Sequence, residues 1–137
     1  MRDPKETLEE MTRIFDELRD RPERQVILVE GMKDRAALNL LGIAGEIWQV
    51  QGPNSVFSTT EQLAKEGKEA VILTDWDRKG GHIARLLRQG FIANAVRHDS
   101  SYRLRLAQLA KKDIKDIESL PAYFTRLVSM VENSAPN

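Results

Sequence analysis

The sequence predicts an α/β protein built around a mainly parallel sheet of about four strands. Two short, β-branched apolar runs, at residues 26–29 and 71–73, are nearly continuous, which is typical of strands buried on both faces. Helical segments of about ten residues alternate with such runs, and this alternation gives βαβ units with parallel strands. At 137 residues the chain is long enough for one domain with a sizeable core.

Residues that typically begin or end helices divide the chain into elements. Asp3 and Pro4, followed by acidic residues, begin a helix that Pro22 ends. Ser58, with Glu61 three residues later, predicts the start of another helix. The predicted strands are residues 25–30, 46–51, 70–74 and 91–97. The helix that starts at Ser58 is predicted to end at residue 65. The remaining predicted helices are residues 34–41, 81–89 (closed by Gly90), 102–111 and 121–131, and residues 132–137 are predicted to be a frayed end.

The composition excludes several classes of protein. There is no cysteine, which excludes disulfides, thiolate zinc sites and cysteine nucleophiles. No apolar stretch approaches the ~20 residues that span a bilayer, and the charged N-terminus lacks the apolar segment of a secretory signal. We therefore expect a cytoplasmic protein without a membrane partner. An N-terminal helix at residues 1–22, a core at 23–100 and a helical extension at 101–137 are expected to form one compact domain.

A net charge of zero conceals a segregation of charge along the chain. Residues 1–77 carry a net charge of −6, residues 78–112 carry +8 and residues 113–137 carry −2. The zero total argues against indiscriminate binding to polyanions. A basic block directly after an acidic motif fits a surface that tracks phosphates beside a metal site. The alternative is that these Arg and Lys side chains only solvate two amphipathic helices.

Acidic residues follow two of the predicted strands. Glu30 and Asp34 come after the first strand, and Asp75 and Asp77 come after the third. If these strands are neighbours, Glu30, Asp75 and Asp77 meet at the carboxyl edge of the sheet, where ligands of open α/β sheets bind. Carboxylates so close together repel one another unless a cation joins them, so a divalent metal is expected. Taken singly, Glu30 could be an exposed strand-end acid and Asp34 a helix-start acid.

Three rival interpretations of D-x-D-x-x-G can be tested in the sequence. A calcium loop between two helices needs an oxygen ligand and a glutamate where this chain has Lys79 and Leu86. A haloacid-dehalogenase-type aspartate lies on the first strand and precedes Thr or Val, whereas here the motif follows the third strand and precedes Arg78. The P-loop pattern is absent. Gly80 begins the next helix, whose free N–H groups could hold a phosphate.

The two acidic motifs together resemble those of the Toprim domain. That domain is shared by type IA and type II topoisomerases, bacterial-type primases, OLD-family nucleases, recombination proteins and the 5S rRNA maturation nuclease. V-E-G-x-x-D on a first strand and D-x-D-x-x-G on a later one match at Glu30, Gly31, Asp34, Asp75, Asp77 and Gly80. Gly52 matches the glycine after the second strand. The resemblance covers about residues 24–97 and implies a Rossmann-like three-layer α/β/α fold.

Within that family, the compact length and the D-R-K-G-G form of the second motif are most similar to the small stand-alone Toprim proteins of archaea. Their layout is similar to the catalytic half of the 5S rRNA maturation nuclease. Tyr102 and Tyr123 lie in C-terminal helices without a surrounding motif, so the strand passage of topoisomerases is not expected. No zinc-binding or helicase-interacting module is present, so a self-sufficient primase is not expected either.

The resemblance also implies roles for individual residues. Glu30 would be the general acid/base for phosphodiester transfer, and Asp75 and Asp77 would join it in holding Mg²⁺, with Mn²⁺ as an alternative. The residues expected to support this site are Asp34, Gly31, Gly52 and Gly80. Nucleic acid is expected to lie along Arg78, Lys79, Arg97, Arg103, Arg105, Lys111 and Lys112.

The leading hypothesis is a Mg²⁺-dependent enzyme that acts on nucleic-acid phosphodiesters, with RNA processing favoured over DNA cleavage. The second is a non-catalytic, metal-dependent nucleic-acid-binding module of a larger RNA or replication complex. It is favoured because Toprim enzymes usually depend on neighbouring domains or a protein partner to bind the substrate. A third is phosphohydrolysis of a small nucleotide. The number of metal ions stays open, and the apolar C-terminal helices either cover the sheet or form an oligomer interface.

Overall fold

The computed structural model of the protein describes residues 3–134. Its four parallel strands are β1 (Gln25–Val29), β2 (Ile47–Gln49), β3 (Glu69–Ile72) and β4 (His98–Asp99). Their order across the sheet is β2-β1-β3-β4. The helices are α1 (Pro4–Arg19), α2 (Met32–Leu40), α3 (Val56–Lys65), α4 (Arg78–Ala93), α5 (Ser101–Ala110) and α6 (Leu120–Ser134).

Helices cover both faces of the sheet and form the outer two of three layers. Ile27 and Val29 of β1 face α1, α2, α5 and α6, whereas Val26 and Leu28 face α3 and α4. Both sets are buried, which explains why the strand sequences are apolar without alternation. The predicted three-layer α/β/α fold with a four-stranded parallel sheet is confirmed.

The order of the strands places a crevice between the ends of β1 and β3. From β1 the chain crosses to β2 on one side, and it later returns to β3 on the other side, with Leu28 paired to Ile72. Such a reversal leaves the carboxyl ends of the two strands free of a crossing connection, and ligands of open α/β sheets bind there. The two acidic motifs follow these two strands.

The predicted strand at residues 91–97 is wrong, because α4 continues through Gly90 to Ala93. Phe91 lies on the same buried face of the helix as Ala84 and Leu87, so the helical spacing persists past the glycine. The chain turns at Ala95, whose φ is +55°, and only His98–Asp99 then pair with β3. Gly90 therefore serves helix packing and does not end the helix.

Several other boundaries also differ from the predictions, among them the start of α4, which is Arg78 and not residue 81. α3 begins at Val56 after a 3₁₀ turn at Pro53–Ser55, and Ser58 lies inside the helix with its hydroxyl donating to the carbonyl of Ser55. Residues 132–134 of the expected frayed end belong to α6, and residues 135–137 lie outside the described part of the chain. Across residues 3–134, none of the helices has the length and apolar character needed to cross a membrane.

The contact between α3 and α4 generates a prediction for Gly90→Ala. A Cβ at this position would lie 2.6 Å from Cγ2 of Thr60, which is fully buried. The overpacking costs about 1–3 kcal/mol, more than the gain of at most about 1 kcal/mol in helix propensity. We expect a lower urea midpoint by equilibrium unfolding, with partial recovery in Gly90→Ala/Thr60→Ser. A midpoint at or above that of the wild type would contradict this packing.

Candidate functional site

The ends of β1 and β3 are joined by a hydrogen bond between the two acidic motifs. Glu30 directly follows β1, and its Oε2 accepts a hydrogen bond of 2.9 Å from the backbone N–H of Asp75. β1 and β3 are neighbours in the sheet, as the prediction of a shared edge required. The structure therefore brings Glu30 and Asp75 together at the crevice.

The second motif is also tied to the connection between α5 and α6, at residues 114–117. The N–H of Ile117 donates to Oδ1 of Asp75 over 2.9 Å. Trp76 donates its backbone N–H to the carbonyl of Lys115 (2.9 Å) and its indole Nε1–H to the carbonyl of Ile114 (2.8 Å). Trp76 also packs on the core beneath α1, α5 and α6. The side chain of Trp76 is thus engaged in packing, and hydrogen bonds with residues 114–117 hold the motif in place.

Asp77 and Gly80 fix the junction between the motif and α4. Oδ1 of Asp77 accepts from the N–H of Gly80 over 2.7 Å and so caps the helix, while Oγ1 of the buried Thr74 donates to the carbonyl of Gly80 over 2.8 Å. A Cβ on Gly80 would lie 1.9 Å from the carbonyl oxygen of Asp75. Glycine is therefore required here by the close approach of two backbone segments.

The supporting residues of the first motif differ in what the structure requires of them. Asp34 is 7% exposed in the first turn of α2, and its Oδ2 accepts from the N–H of Gly31 over 3.1 Å. Gly31 itself is extended (φ −153°), with open space where a Cβ would lie, so neither its backbone conformation nor its surroundings require glycine. Gly52 has φ +106°, a conformation that favours glycine.

Arg103 reaches from α5 to the end of β3. Its Nε donates to the carbonyl of Thr74 (3.0 Å), and its Nη2 donates to the carbonyl of Asp75 (2.8 Å). Burial, followed by the charge of Arg88, lowers the pKa of Arg103, whereas the charges of Glu30, Asp77 and Asp75 raise it. All three acids of the predicted metal site thus act on one guanidinium group.

Burial and mutual repulsion disfavour charge on the acids at the crevice. Burial, with the charges of Asp34 and Glu30, raises the pKa of Asp75 to about 7, although the hydrogen bond from Ile117 opposes this shift. Burial likewise raises the pKa of Asp34, against the hydrogen bond from Gly31, and the charges of Glu30, Glu118 and Asp116 add to the increase. Asp116 and Glu118 therefore belong to the acidic surroundings of the site.

The donor set fits a hard divalent cation in its chemistry. Glu30, Asp75 and Asp77 each direct one carboxylate oxygen to a backbone N–H, and the other oxygen has no bond from a backbone N–H or basic side chain in the described part of the chain. Carboxylate oxygens are ligands that Mg²⁺ prefers. Within residues 3–134, no three His, Asp or Glu side chains form a preassembled metal-ligating group. A cation would therefore have to draw these free oxygens together.

The residues predicted to bind nucleic acid fall into two groups. Arg103 is engaged by backbone carbonyls, and Arg105 forms ion pairs with Glu17 (2.8 Å) and Glu10 (3.1 Å) of α1. The other five are exposed, and they are Arg78, Lys79, Arg97, Lys111 and Lys112. Contact with nucleic acid stays a prediction for all seven.

Sequence reasoning missed the contacts that hold the second motif in place. The hydroxyl of Thr74, the N–H of Ile117 and the carbonyls bound by Trp76 all belong to ordinary residue types. Thr74 stands between an apolar run and the D-x-D motif, and this position in the sequence could have indicated that its hydroxyl supports the motif. Nothing in the spacing of residues 114–117 shows that they meet residues 75–76, because that contact is set by tertiary packing.

Comparison with known proteins finds sequence and structural relatives. A family profile of the Toprim domain matches residues 25–109. A UPF0292 protein of Methanosarcina acetivorans is 38% identical over 104 residues, which are 76% of this chain and 72% of that protein. A UPF0292 protein of Thermococcus sibiricus is 37% identical over 126 residues, which are 91% of this chain and 96% of that protein. The expected similarity to small archaeal proteins is confirmed.

One solved structure, of a protein from Aquifex aeolicus, has a TM-score of 0.60 and 22% sequence identity. The match covers 87% of this chain and 99% of that one. At this level of identity the similarity concerns the fold alone. It extends over more of the chain than the family profile does, so the surrounding helices share in the common architecture.

The close approach at Gly80 generates a prediction with a matched control. In Gly80→Ala the added Cβ meets the carbonyl of Asp75 at 1.9 Å, whereas in Gly81→Ala its nearest neighbour is Nη2 of Arg103 at 3.6 Å. We expect Gly80→Ala to lower the free energy of unfolding by about 3 kcal/mol or more. Gly81→Ala should keep or raise it, by up to about 1 kcal/mol. Equal urea midpoints for the two variants would contradict the geometry of the motif.

The pKa of Asp75 generates a prediction about pH and stability. Asp75 ionises near pH 7 in the folded protein but near pH 4 when unfolded, so the folded state holds the extra proton in between. Stability is therefore lost as the pH rises from about 4 to about 7. In EDTA, the melting temperature of Asp75→Asn relative to wild type should increase between about pH 5 and about pH 8. A difference that is constant with pH would contradict the burial of this charge.

Proposed function

The chain belongs to the Toprim family, and from that premise we propose that it is a Mg²⁺-dependent enzyme acting on nucleic-acid phosphodiesters. The observation that carries the proposal is the hydrogen bond of 2.9 Å between Oε2 of Glu30 and the N–H of Asp75. It holds the proposed acid/base beside Asp75 of the second motif. RNA is the favoured substrate, because the layout is similar to the catalytic half of the 5S rRNA maturation nuclease.

Asp75 and Asp77 would hold the metal ion through the oxygens that carry no backbone hydrogen bond, and Glu30 would join them when its Oε1 carries no proton. Toprim domains generally bind Mg²⁺. When bound, the cation supplies positive charge that neutralises charge developing on the phosphate. The raised pKa of Asp75 supports this assignment, since a buried carboxylate among other acids favours any change that brings a positive charge to it.

Glu30 is placed to move a proton at Oε1. Because Oε2 is held by the N–H of Asp75, the carboxyl group has a fixed direction, and its other oxygen stays available for the attacking or leaving oxygen of the substrate. Arg78 and Lys79 are exposed in the first turn of α4, where the positive end of the helix dipole also favours a phosphate. They would orient the substrate beside Glu30.

One observation favours the second candidate function, a metal-dependent binding module without turnover. The acids of residues 3–134 are not assembled into a group of three that could hold a metal ion directly. A partner protein or a bound strand would then complete the site, as in a larger RNA or replication complex. This candidate predicts metal-dependent binding of nucleic acid with a steep salt dependence and no cleavage.

The proposal predicts that Glu30→Gln abolishes cleavage. End-labelled structured RNA and nicked DNA are incubated with wild type or variant in Mg²⁺, Mn²⁺ or EDTA. We expect metal-dependent cleavage of RNA by the wild type, and a loss of about 10²-fold or more in the variant, because Gln cannot transfer the proton. Glu9→Gln, an exposed change on α1, is the control and should cleave normally. Cleavage by Glu30→Gln at the wild-type rate would falsify the role of Glu30.

A metal titration tests the metal site that both candidate functions need, and a cleavage assay then separates them. Mg²⁺ should raise the melting temperature of the wild type and have a smaller effect on Asp77→Asn, since bound ligand stabilises the folded state. Metal-dependent RNA binding without cleavage in either Mg²⁺ or Mn²⁺ would replace the enzyme by the binding module. Release of phosphate from small nucleotides alone would contradict both.

A further inference from the structure

Helix α4 carries a row of positive charges that begins at the acidic motif. Residues 78–98 contain five Arg or Lys and no Asp or Glu. Arg78, His82 and Arg85 follow one another at spacings of four and three residues on the helix, and all three are exposed. Arg88 follows Arg85 by three residues and is partly exposed. We call these four residues the α4 ridge.

The charges of the ridge are not neutralised within the described protein. Ion pairs involve Arg and Lys side chains elsewhere, such as Arg24 with Glu69 and Arg105 with Glu17, but across residues 3–134 none involves Arg78, Lys79, Arg85 or Arg88. A guanidinium nitrogen of Arg85 lies 2.9 Å from Nδ1 of His82, which is not an acidic partner. The ridge is therefore a surface of uncompensated positive charge.

Arg103 of α5 adds a further positive charge beside the first turn of α4. Its guanidinium binds the carbonyls of Thr74 and Asp75, and its Nη2 lies 3.6 Å from the position that a Cβ on Gly81 of α4 would occupy. Positive charges gathered on one surface repel each other, and a multivalent anion along them relieves this repulsion. Planar guanidinium groups match phosphate oxygens in pairs.

The length of the ridge suits a chain of phosphates. Arg78 and Arg88 are ten residues apart on one helix, which corresponds to about 15 Å at 1.5 Å per residue. Each strand of a helical duplex has one phosphate per 3.4 Å of axis, and at that spacing the distance covers about four nucleotides. One end of the ridge lies next to Asp77, so a strand on the ridge leads directly to the acidic crevice.

We propose that the α4 ridge binds the sugar–phosphate backbone of a polynucleotide, with Arg85 and Arg88 as its principal contacts. The bound strand would continue from the phosphodiester that reaches the acids. Because it assumes a phosphodiester at the acids, the inference rests on the proposed function. A broad anionic surface such as a membrane would also press against Glu30, Asp75 and Asp77 and be repelled. A single strand meets the acids at one phosphate and the ridge at several.

The test measures binding in EDTA, so that catalysis and metal binding do not contribute. Fluorescence anisotropy follows a labelled single-stranded RNA of about 12 nucleotides, about three times the length that the ridge covers, over a range of salt concentrations. For Arg85→Gln/Arg88→Gln we expect a Kd raised roughly tenfold at about 100 mM salt, and a slope of log K against log salt reduced by about 1.4.

A matched control removes two charges from another surface. Lys5→Gln/Arg126→Gln changes the net charge equally at exposed positions on α1 and α6, and its affinity and salt slope should stay close to those of the wild type. Arg85→Gln alone, at an exposed position, should show about half of the change in slope and guards against misfolding of the double variant. Circular dichroism verifies that each variant is folded.

The outcomes distinguish this inference from the proposed function. A double variant with the wild-type Kd and salt slope overturns the ridge, even if the wild type cleaves RNA. An equal loss in the control pair overturns it too, because the effect would then come from net charge. Binding of the wild type to anionic vesicles but not to RNA assigns the ridge to a membrane and also overturns it. Loss of binding at the ridge, with no cleavage in Mg²⁺, supports the ridge and contradicts only the enzymatic proposal.

Discussion

The hydrogen bond between Oε2 of Glu30 and the N–H of Asp75 depends on the pairing of β1 with β3 in one register. With Leu28 opposite Ile72, both strands end at the same level, and the residues that follow them meet. Were the register shifted by one residue, the side chains of one strand would face the opposite helical layer, where their shapes would not fit the close packing. The core packing that fixes this register therefore also fixes the acids at the crevice.

Placing Glu30 next to Asp75 opposes folding, and the surroundings show how the structure tolerates it. Each of Glu30, Asp75 and Asp77 accepts one backbone N–H, which offsets part of the desolvation and sets the direction of the carboxylate. Arg103 supplies positive charge from a position where its own guanidinium is held by backbone carbonyls. This compensation is incomplete, since the pKa of Asp75 is still raised to about 7. A site left in this condition is suited to a positively charged ligand.

Sequence patterns predicted β1, β2 and β3 and pointed to the acids at the strand ends, because these features have strong local signals. β1 and β3 are continuous apolar runs, and the carboxylates follow directly after them. The boundary between α4 and β4 was predicted wrongly because Gly90 looks like a helix end in the sequence, whereas its lack of a side chain serves contact with Thr60. The hydrogen bonds between residues 114–117 and the motif could not be predicted, because residues 114–117 contribute backbone groups, which are the same whatever the side chain. The sequence also predicted that Arg103 and Arg105 bind nucleic acid, although both are engaged within the protein. Their partners could not be predicted, since they lie on distant segments of the chain.

The segregation of charge along the sequence becomes a separation in space with a functional consequence. Asp77 is the last acid of the motif and also the cap of α4, so the acidic crevice and the basic helix share one residue. A rotation of α4 that moved the ridge would therefore also move Asp77, and through Gly80 it would press on the carbonyl of Asp75. The position of a strand on the proposed ridge and the position of the carboxylates would thus be coupled through a single helix N-terminus. The same coupling would give a bound polynucleotide a means of drawing together acids that the protein alone leaves apart.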